Sequence, residues 1–484
     1  MSPRPRFLFA APLLLALAGC GSADDAGVVR IALIGDPEAP FEKGLRLATS
    51  AQQVRAATAE GLVALDQSGA VVPAIAERWI VTDDGMSYIF RLRNAEWPDG
   101  TPMTAEQVRD ALRRTIRDLA GTSLGLDLAP VSEVRAMTGR VIEIRLSSAT
   151  PDFLQLLAQP ELGVFHRGAG TGPMTLTRDD GTGRLTLLPP EARGLPTRED
   201  WQDGTRVLVF RALPARGAVD LFRSGDVDLV FGGTIVDLPL APTGPLSRGT
   251  VRLDAAQGLL GLKVLREEGL LAEPARREAL AMAIERETLL APFNIAGWMP
   301  STRIVPAAVV GEGAGERWSN SAIDARRADA RRRIDGFAGP KTVTVALPEG
   351  PGADLLLREI AADWREIGVT AVRVRKGDKA DLELVDTLAR FGSRRWYLDQ
   401  FACKVRRPLC DPKADELVRE AVRETDPASR ATLLAEAETR LTARQGYIPL
   451  GAPVRWSLVR GDVAGFVENA WAVHPLYPLA LAPT

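Results

Sequence analysis

Two periods of apolar and polar residues run through this chain. Behind the turn Asp83-Asp84-Gly85, Met86, Tyr88, Phe90 and Leu92 alternate with Ser87, Ile89, Arg91 and Arg93. Period two predicts a strand with one face buried. A second turn, Pro98-Asp99-Gly100, leads into Thr104 and Gln107 at capping-box spacing, and Val108, Ala111, Leu112, Ile116 and Leu119 then recur at helical spacing. Strands are also predicted over 28–34, 185–188, 206–211 and 227–231, and over 141–146 with Ile142, Ile144 and Leu146 on one face. Val343, Val345 and Leu347 mark a strand ahead of a helix near 353–367, whose face is Leu356, Ile360, Trp364 and Ile367 and whose end is Gly368. Strands at 369–375 and 381–385 and helices near 413–424 and 428–444 follow. Strands with interspersed helices predict an α/β protein. The Pro/Gly-rich stretches 239–249 and 298–320 read as loops, and Trp79 and Phe90 as core.

The N-terminus follows another pattern. Arg4 and Arg6 precede eleven apolar residues, 7–17, too few to span a bilayer. Leu17-Ala18-Gly19-Cys20 comes next and resembles the bacterial lipobox, in which the chain is cut before the cysteine and the cysteine is acylated. On that reading 1–19 is a signal peptide, Cys20 carries the lipid and 20–27 is a tether. The mature protein is then expected in the periplasm or at the cell surface, anchored to a membrane. An ordinary signal peptide that happens to contain cysteine is the alternative.

A length of 484 residues exceeds one ordinary core and suits two or three lobes. The formal net charge is −2, and without the leader 58 basic residues face 62 acidic ones, so no nucleic-acid partner is expected. Cys403 and Cys410 are close in sequence, and an oxidising compartment favours a disulfide between them, two free buried thiols being the alternative. Their spacing is not C-x-x-C, so redox chemistry is not expected. His166 and His474 are the two histidines and read as packed or solvated. The chain carries no H-E-x-x-H, G-x-S-x-G or Walker A motif. Neither an enzyme nor a metal or cofactor site is expected. Gly311 to Gly315 mimics a dinucleotide loop but neither follows a clear strand nor opens a helix.

Several short segments, taken together, resemble the family 5 extracellular solute-binding proteins of ABC importers, the oligopeptide, dipeptide and nickel type. They are Glu60-Gly61-Leu62-Val63, Pro73 to Trp79, Asp83-Asp84-Gly85, Tyr88 to Arg93, and Asp99 to Val108. Further along, Gly170-Thr171-Gly172-Pro173-Met174 is similar to a GTGPY segment. Leu221 to Asp228, Arg277 to Arg286 and Tyr447-Ile448-Pro449-Leu450 are similar to three more family segments. The resemblance implies a two-lobed periplasmic-binding-protein fold of type II, the large class with an extra subdomain, with mixed sheets and a ligand cleft between lobes. Lobe I would be 27–258 plus 455–484, with 56–168 as the extra subdomain, and lobe II 259–454. The lobes would close on the ligand by hinge motion. The implied partners are a peptide or other small solute, a membrane permease and its ATPase, and the implied state is a monomer.

The resemblance also implies where the solute sits. The stretch 47–52, between the first strand and a helix read at Glu60-Gly61-Leu62, should line the lobe I side through Thr49, Ser50 and Gln52. A family acid that meets a peptide amine follows the pattern D-l-x-l-x-x-W-x-x-D. Asp381-Leu382-Glu383-Leu384 matches its start, but no W-x-x-D follows in register. Asp386 is one candidate acid, and Asp399, in Trp396-Tyr397-Leu398-Asp399, is another. The departure leaves open a lipoprotein that keeps the fold but senses a ligand or contacts an envelope partner.

Overall fold

Val28–Ile34 lies at the centre of a seven-stranded sheet, parallel to both neighbours. The strand order is Met174–Asp179, Thr182–Leu187, Val207–Leu213, Val28–Ile34, Leu229–Thr234, Arg455–Val459, Val251–Asp254. Buried on both faces, the central strand is apolar almost throughout, as parallel strands under helices must be. The computed structural model describes residues 27–242, 249–311, 315–405, 409–461 and 463–481. The expected signal peptide, Cys20 and the tether up to residue 26 lie outside the described residues.

A second sheet of five strands runs Thr370–Arg375, Thr342–Leu347, Leu382–Leu388, Gly258–Val264, Tyr447–Gly451. The chain passes between the two sheets twice, through 255–257 and 452–454, so that each passage is three residues long. A third, antiparallel sheet is built from Ala76–Val81, Ser87–Leu92, Val141–Leu146 and Val131–Met137, in that order.

Local chemistry explains these elements. In the helix Ala105–Asp118, the Gln107 amide donates to Thr104 Oγ1 and the Thr104 amide donates to Gln107 Oε1, at 3.3 and 3.0 Å. That capping box satisfies amides the helix leaves open. Its Val108 and Leu112 then cover the third sheet, where Phe90, Ile142 and Ile144 are fully buried. The helix Pro351–Arg365 buries Leu356, Ile360 and Trp364 on the five-stranded sheet, and Gly368 at φ +76° closes it. Trp79 is only half-buried, because Ala76–Val81 is an edge strand of the third sheet.

Two apolar clusters tie these parts together. One joins the first two sheets through Leu262, Val345, Trp364 and Trp456. The other joins the third sheet to the helices Arg394–Asp399, Pro412–Arg423 and Pro427–Arg444. Cys403 and Cys410 stand bonded just before those last two helices, with Cα atoms 4.9 Å apart. Among the described residues, no helix is long and apolar enough to cross a membrane, and no group of three or more His, Cys, Asp or Glu is placed to hold a metal ion.

Candidate functional site

The helix Thr49–Thr58 forms one wall of a cavity of about 480 Å³. Residues 49–52 are thus the first turn of a helix, and Glu60-Gly61 follows that helix as a loop. No side chain caps the helix at Ala48; instead the Gln52 side-chain amide donates to the Leu47 carbonyl at 3.3 Å. Ala51, Val54 and Ala57 face the core, which turns Thr49, Gln52, Gln53 and Ala56 toward the cavity. Other walls come from the Val63–Leu65 and Val71–Pro73 hairpin, the turn at Arg193 to Leu195 and the segment Ala472 to Pro478. Leu388 closes the cavity from the five-stranded sheet.

The glycines of two motif segments have a shared reason. A Cβ on Gly172 would lie 2.3 Å from the Thr58 carbonyl carbon, and one on Gly170 would lie 2.5 Å from the Thr58 oxygen. Both residues are pressed against the end of the Thr49–Thr58 helix, where the Gly172 amide donates to the Thr58 carbonyl. The segment Gly170 to Met174 is therefore a buttress for the cavity wall.

Charge in the cavity centres on Glu60 and Arg93. Arg93 Nη1 donates to Glu60 Oε2 at 2.8 Å and to the Ala74 carbonyl at 2.9 Å. Burial pushes the Glu60 carboxyl up from its ordinary range, although the Arg93 and Arg193 guanidiniums pull it back. Arg193 donates through Nε to the Leu188 carbonyl at 2.9 Å. Asp66 is occupied by its own turn: Oδ1 accepts from the Ser68 amide, the Ser68 hydroxyl and the Ala70 amide. Glu77, at the rim, pairs with Arg91.

His474 forms part of the floor. Its Nε2 lies 3.1 Å from Asp254 Oδ2, and its ring stacks on Phe231 and Phe466. The Nδ1 atom is buried without a hydrogen-bond partner. Asn469 fixes the segment around it, accepting from the Trp471 and Val473 amides and donating to the Gln67 and Val473 carbonyls.

Of the residues singled out from sequence, Thr49 and Gln52 line this cavity, and Ser50 is buried one position off the wall. Asp399, Trp396 and Asp386 line no part of it. Trp396 and Asp399 belong to the short helix Arg394–Asp399, which packs against the helices Ser123–Asp127, Pro412–Arg423 and Pro427–Arg444 and is buried from Arg395 to Asp399. Trp396 meets Tyr397 edge-on. Asp399 lies 3.7 Å from Arg395. Asp386 accepts from Arg455 Nη1 at 2.6 Å, which links the five-stranded sheet to the seven-stranded one. In the register of the D-l-x-l-x-x-W-x-x-D pattern, the place of the acid is taken by Arg390. Arg390 holds Glu161 through both Nη atoms, at 2.9 and 3.2 Å, and Gln159 at 3.0 Å.

Sequence reasoning missed Arg193 and the pairing of Glu60 with Arg93, though both members of that pair stand in quoted motif segments. His474 was read only as packed or solvated. Nothing in the local pattern around Arg193 marks it, because it sits in a single turn, Glu191–Arg193, with no periodicity.

Residues 70–390 match the model of the middle region of family 5 of the bacterial extracellular solute-binding proteins. The chain is 22% identical over 463 residues to the periplasmic oligopeptide-binding protein OppA of Salmonella typhimurium, covering 84% of each chain. It is 36% identical over 121 residues to the probable deoxycholate-binding periplasmic protein YgiS of Escherichia coli, covering 21% of this chain and 23% of that one. Its fold is similar to that of Haemophilus influenzae OppA in complex with RPPGFSPFR, with a TM-score of 0.80 at 17% identity over 95% of this chain and 100% of the other.

Proposed function

The chain belongs to family 5 of the bacterial extracellular solute-binding proteins, and on that premise we propose that it captures a peptide or peptide-like solute in the cavity beside the Thr49–Thr58 helix and delivers it to the membrane permease of an ABC importer. The observation that carries this reading is the cavity itself. Its walls include Glu60-Gly61, Pro73-Ala74, Glu77, Arg93 and Pro173, all from the segments that carry the family resemblance. The names of two relatives, oligopeptide-binding and deoxycholate-binding, support a small organic solute.

The lobes of this reading are 27–258 with 455–484, and 259–454, with 56–168 as a subdomain of the first. Two three-residue passages between the sheets suit a hinge, because only their backbone angles need to change for the sheets to move as bodies. Ligand binding then favours the closed form by its preference for that form alone. The lipobox at Leu17 to Cys20 supports a lipid anchor that keeps the protein, as a monomer, beside its permease.

The experiment is mass spectrometry of small molecules released from gently purified protein lacking residues 1–20, then calorimetry with what is found. A bound peptide or peptide analogue is the expected result. A protein that carries nothing and takes up nothing from a mixed peptide library sinks the peptide reading.

A further inference from the structure

The acids and the bases of the cavity differ in how far they are engaged. Glu60 is neutralised by Arg93 at 2.8 Å, Asp66 accepts three hydrogen bonds within its own turn, and Glu77 is paired at the rim with Arg91. No acid in the wall is left for an ammonium group. Arg193 is the opposite case. Only its Nε is engaged, by the Leu188 carbonyl, and its two terminal nitrogens have no partner among the described residues. It lines the cavity beside Gly194, where a Cβ would lie 2.9 Å from Arg93 Cδ. A guanidinium with both Nη groups free presents the planar fork that fits a carboxylate through two parallel hydrogen bonds. The same cavity is lined by apolar side chains, among them Ala56, Val72, Pro73, Leu195 and Leu388, which suit an apolar body on the solute.

We propose that Arg193 anchors the carboxylate of the solute and that the cavity makes no use of a free amino group. The proposal rests on the solute-capture reading above and specifies the chemistry of the same cavity. The ligand class is a monocarboxylate with an apolar body, whether an N-blocked peptide or a non-peptide acid. Glu60 is already held by Arg93, so the Nη groups of Arg193 stay open to the carboxylate of the solute. Placing a positive amine there would set it against Arg193 with no acid to receive it.

The test is titration calorimetry on the mature exported protein with four matched probe sets: dipeptides, their N-acetyl forms, their C-terminal amides, and medium-chain monocarboxylates with their primary amides. Free acids, acetylated or not, are expected to bind roughly tenfold or more tightly than the corresponding amides. Arg193→Gln should bring that ratio close to one at an unchanged melting temperature, and Arg193→Lys should keep part of it. If dipeptide acids and amides bind alike, acetylation abolishes binding and Arg193→Gln is silent, the anchor is overturned while peptide capture stands. If the monocarboxylates bind with an acid preference while every peptide fails, the anchor stands and peptide capture falls. Silence from all four sets overturns both.

Discussion

Asp127 and Asp399 form a buried pair of carboxyls across the junction of the third sheet's unit with the helices of the 390–444 region. Asp127, at the end of the helix Ser123–Asp127, is fully buried, and neither of its carboxyl oxygens has a hydrogen-bond partner. Burial raises its pKa first, and the Asp399 charge raises it further, against the pull of Arg395 and Arg390. Burial pushes Asp399 up to about 6, opposed by Arg395 and assisted by Asp415. Arg395 also donates to the Asp127 carbonyl at 2.8 Å and opposes the burial that raises the nearby Asp152.

This pair predicts a pH-dependent stability. Each carboxyl holds its proton more tightly when folded than when unfolded, where its pKa is about 4. The folded state therefore binds more protons between about pH 4 and pH 6, and the stability from this pair is lost as pH rises through that window. Asp127→Asn should raise the melting temperature at pH 7, leave it nearly unchanged at pH 4.5 and flatten the slope between. Equal shifts at both pH values would refute the assignment.

Arg390 and Glu161 predict a different response. Glu161 is 2% exposed, and its partner comes from beyond the end of the strand Leu382–Leu388. Glu161→Ala should cost about 2 kcal/mol in urea unfolding, because the partly buried Arg390 guanidinium loses its carboxylate and keeps only Gln159. Adding Arg390→Met should recover most of that loss, a coupling that a double-mutant cycle measures directly.

Gly352 marks the docking of the helix Pro351–Arg365 onto the seven-stranded side. Its amide donates to the Val236 carbonyl at 2.7 Å, and a Cβ there would meet the Ile235 carbonyl oxygen at 1.9 Å. Gly352→Ala should therefore destabilise by more than about 2 kcal/mol, since backbone rather than a flexible side chain must give way. Gly352→Ala melting within a degree of wild type would contradict this contact.

The Cys403–Cys410 bond closes a short loop, with a sequence separation of 7. Replacing both cysteines by serine should cost about 2 kcal/mol on loop-entropy grounds. Thermal melts of the wild type with and without reductant, set beside the double-serine variant, separate this effect from any packing change.

Local chemistry was the legible part of this protein. The capping box of Thr104 and Gln107, the alternation around Phe90 and the buried stripe of Trp364 each lie within one element, and each formed where its spacing said it would. The cavity was legible only in fragments. Thr49 and Gln52 line the cavity, but their helix was not legible, because Thr49–Thr58 lacks the side-chain cap that announces a start. Trp396 and Asp399 stand outside the cavity, since their three-residue spacing is here a helix turn rather than an acid beyond a strand. Burial on all sides then made that turn structural. Glu60 meets Arg93 across thirty-three positions, and Arg193 reaches the same wall from a turn with no period to read. Such meetings depend on how sheets stack, and no short window of sequence contains that information.

The place of the strand Arg455–Val459 governs how the molecule can be made. It lies between Leu229–Thr234 and Val251–Asp254, hydrogen-bonded to both. A ribosome delivers those neighbours long before it reaches residue 455. Until then the seven-stranded sheet has a gap near one end, and the edge at Leu229–Thr234 is an open template for other chains. The whole five-stranded sheet is synthesised inside that interval. The nascent protein therefore cannot finish its seven-stranded sheet before its five-stranded one, and a chain arrested anywhere short of residue 455 would emerge with an unsealed sheet that calls for a chaperone's protection.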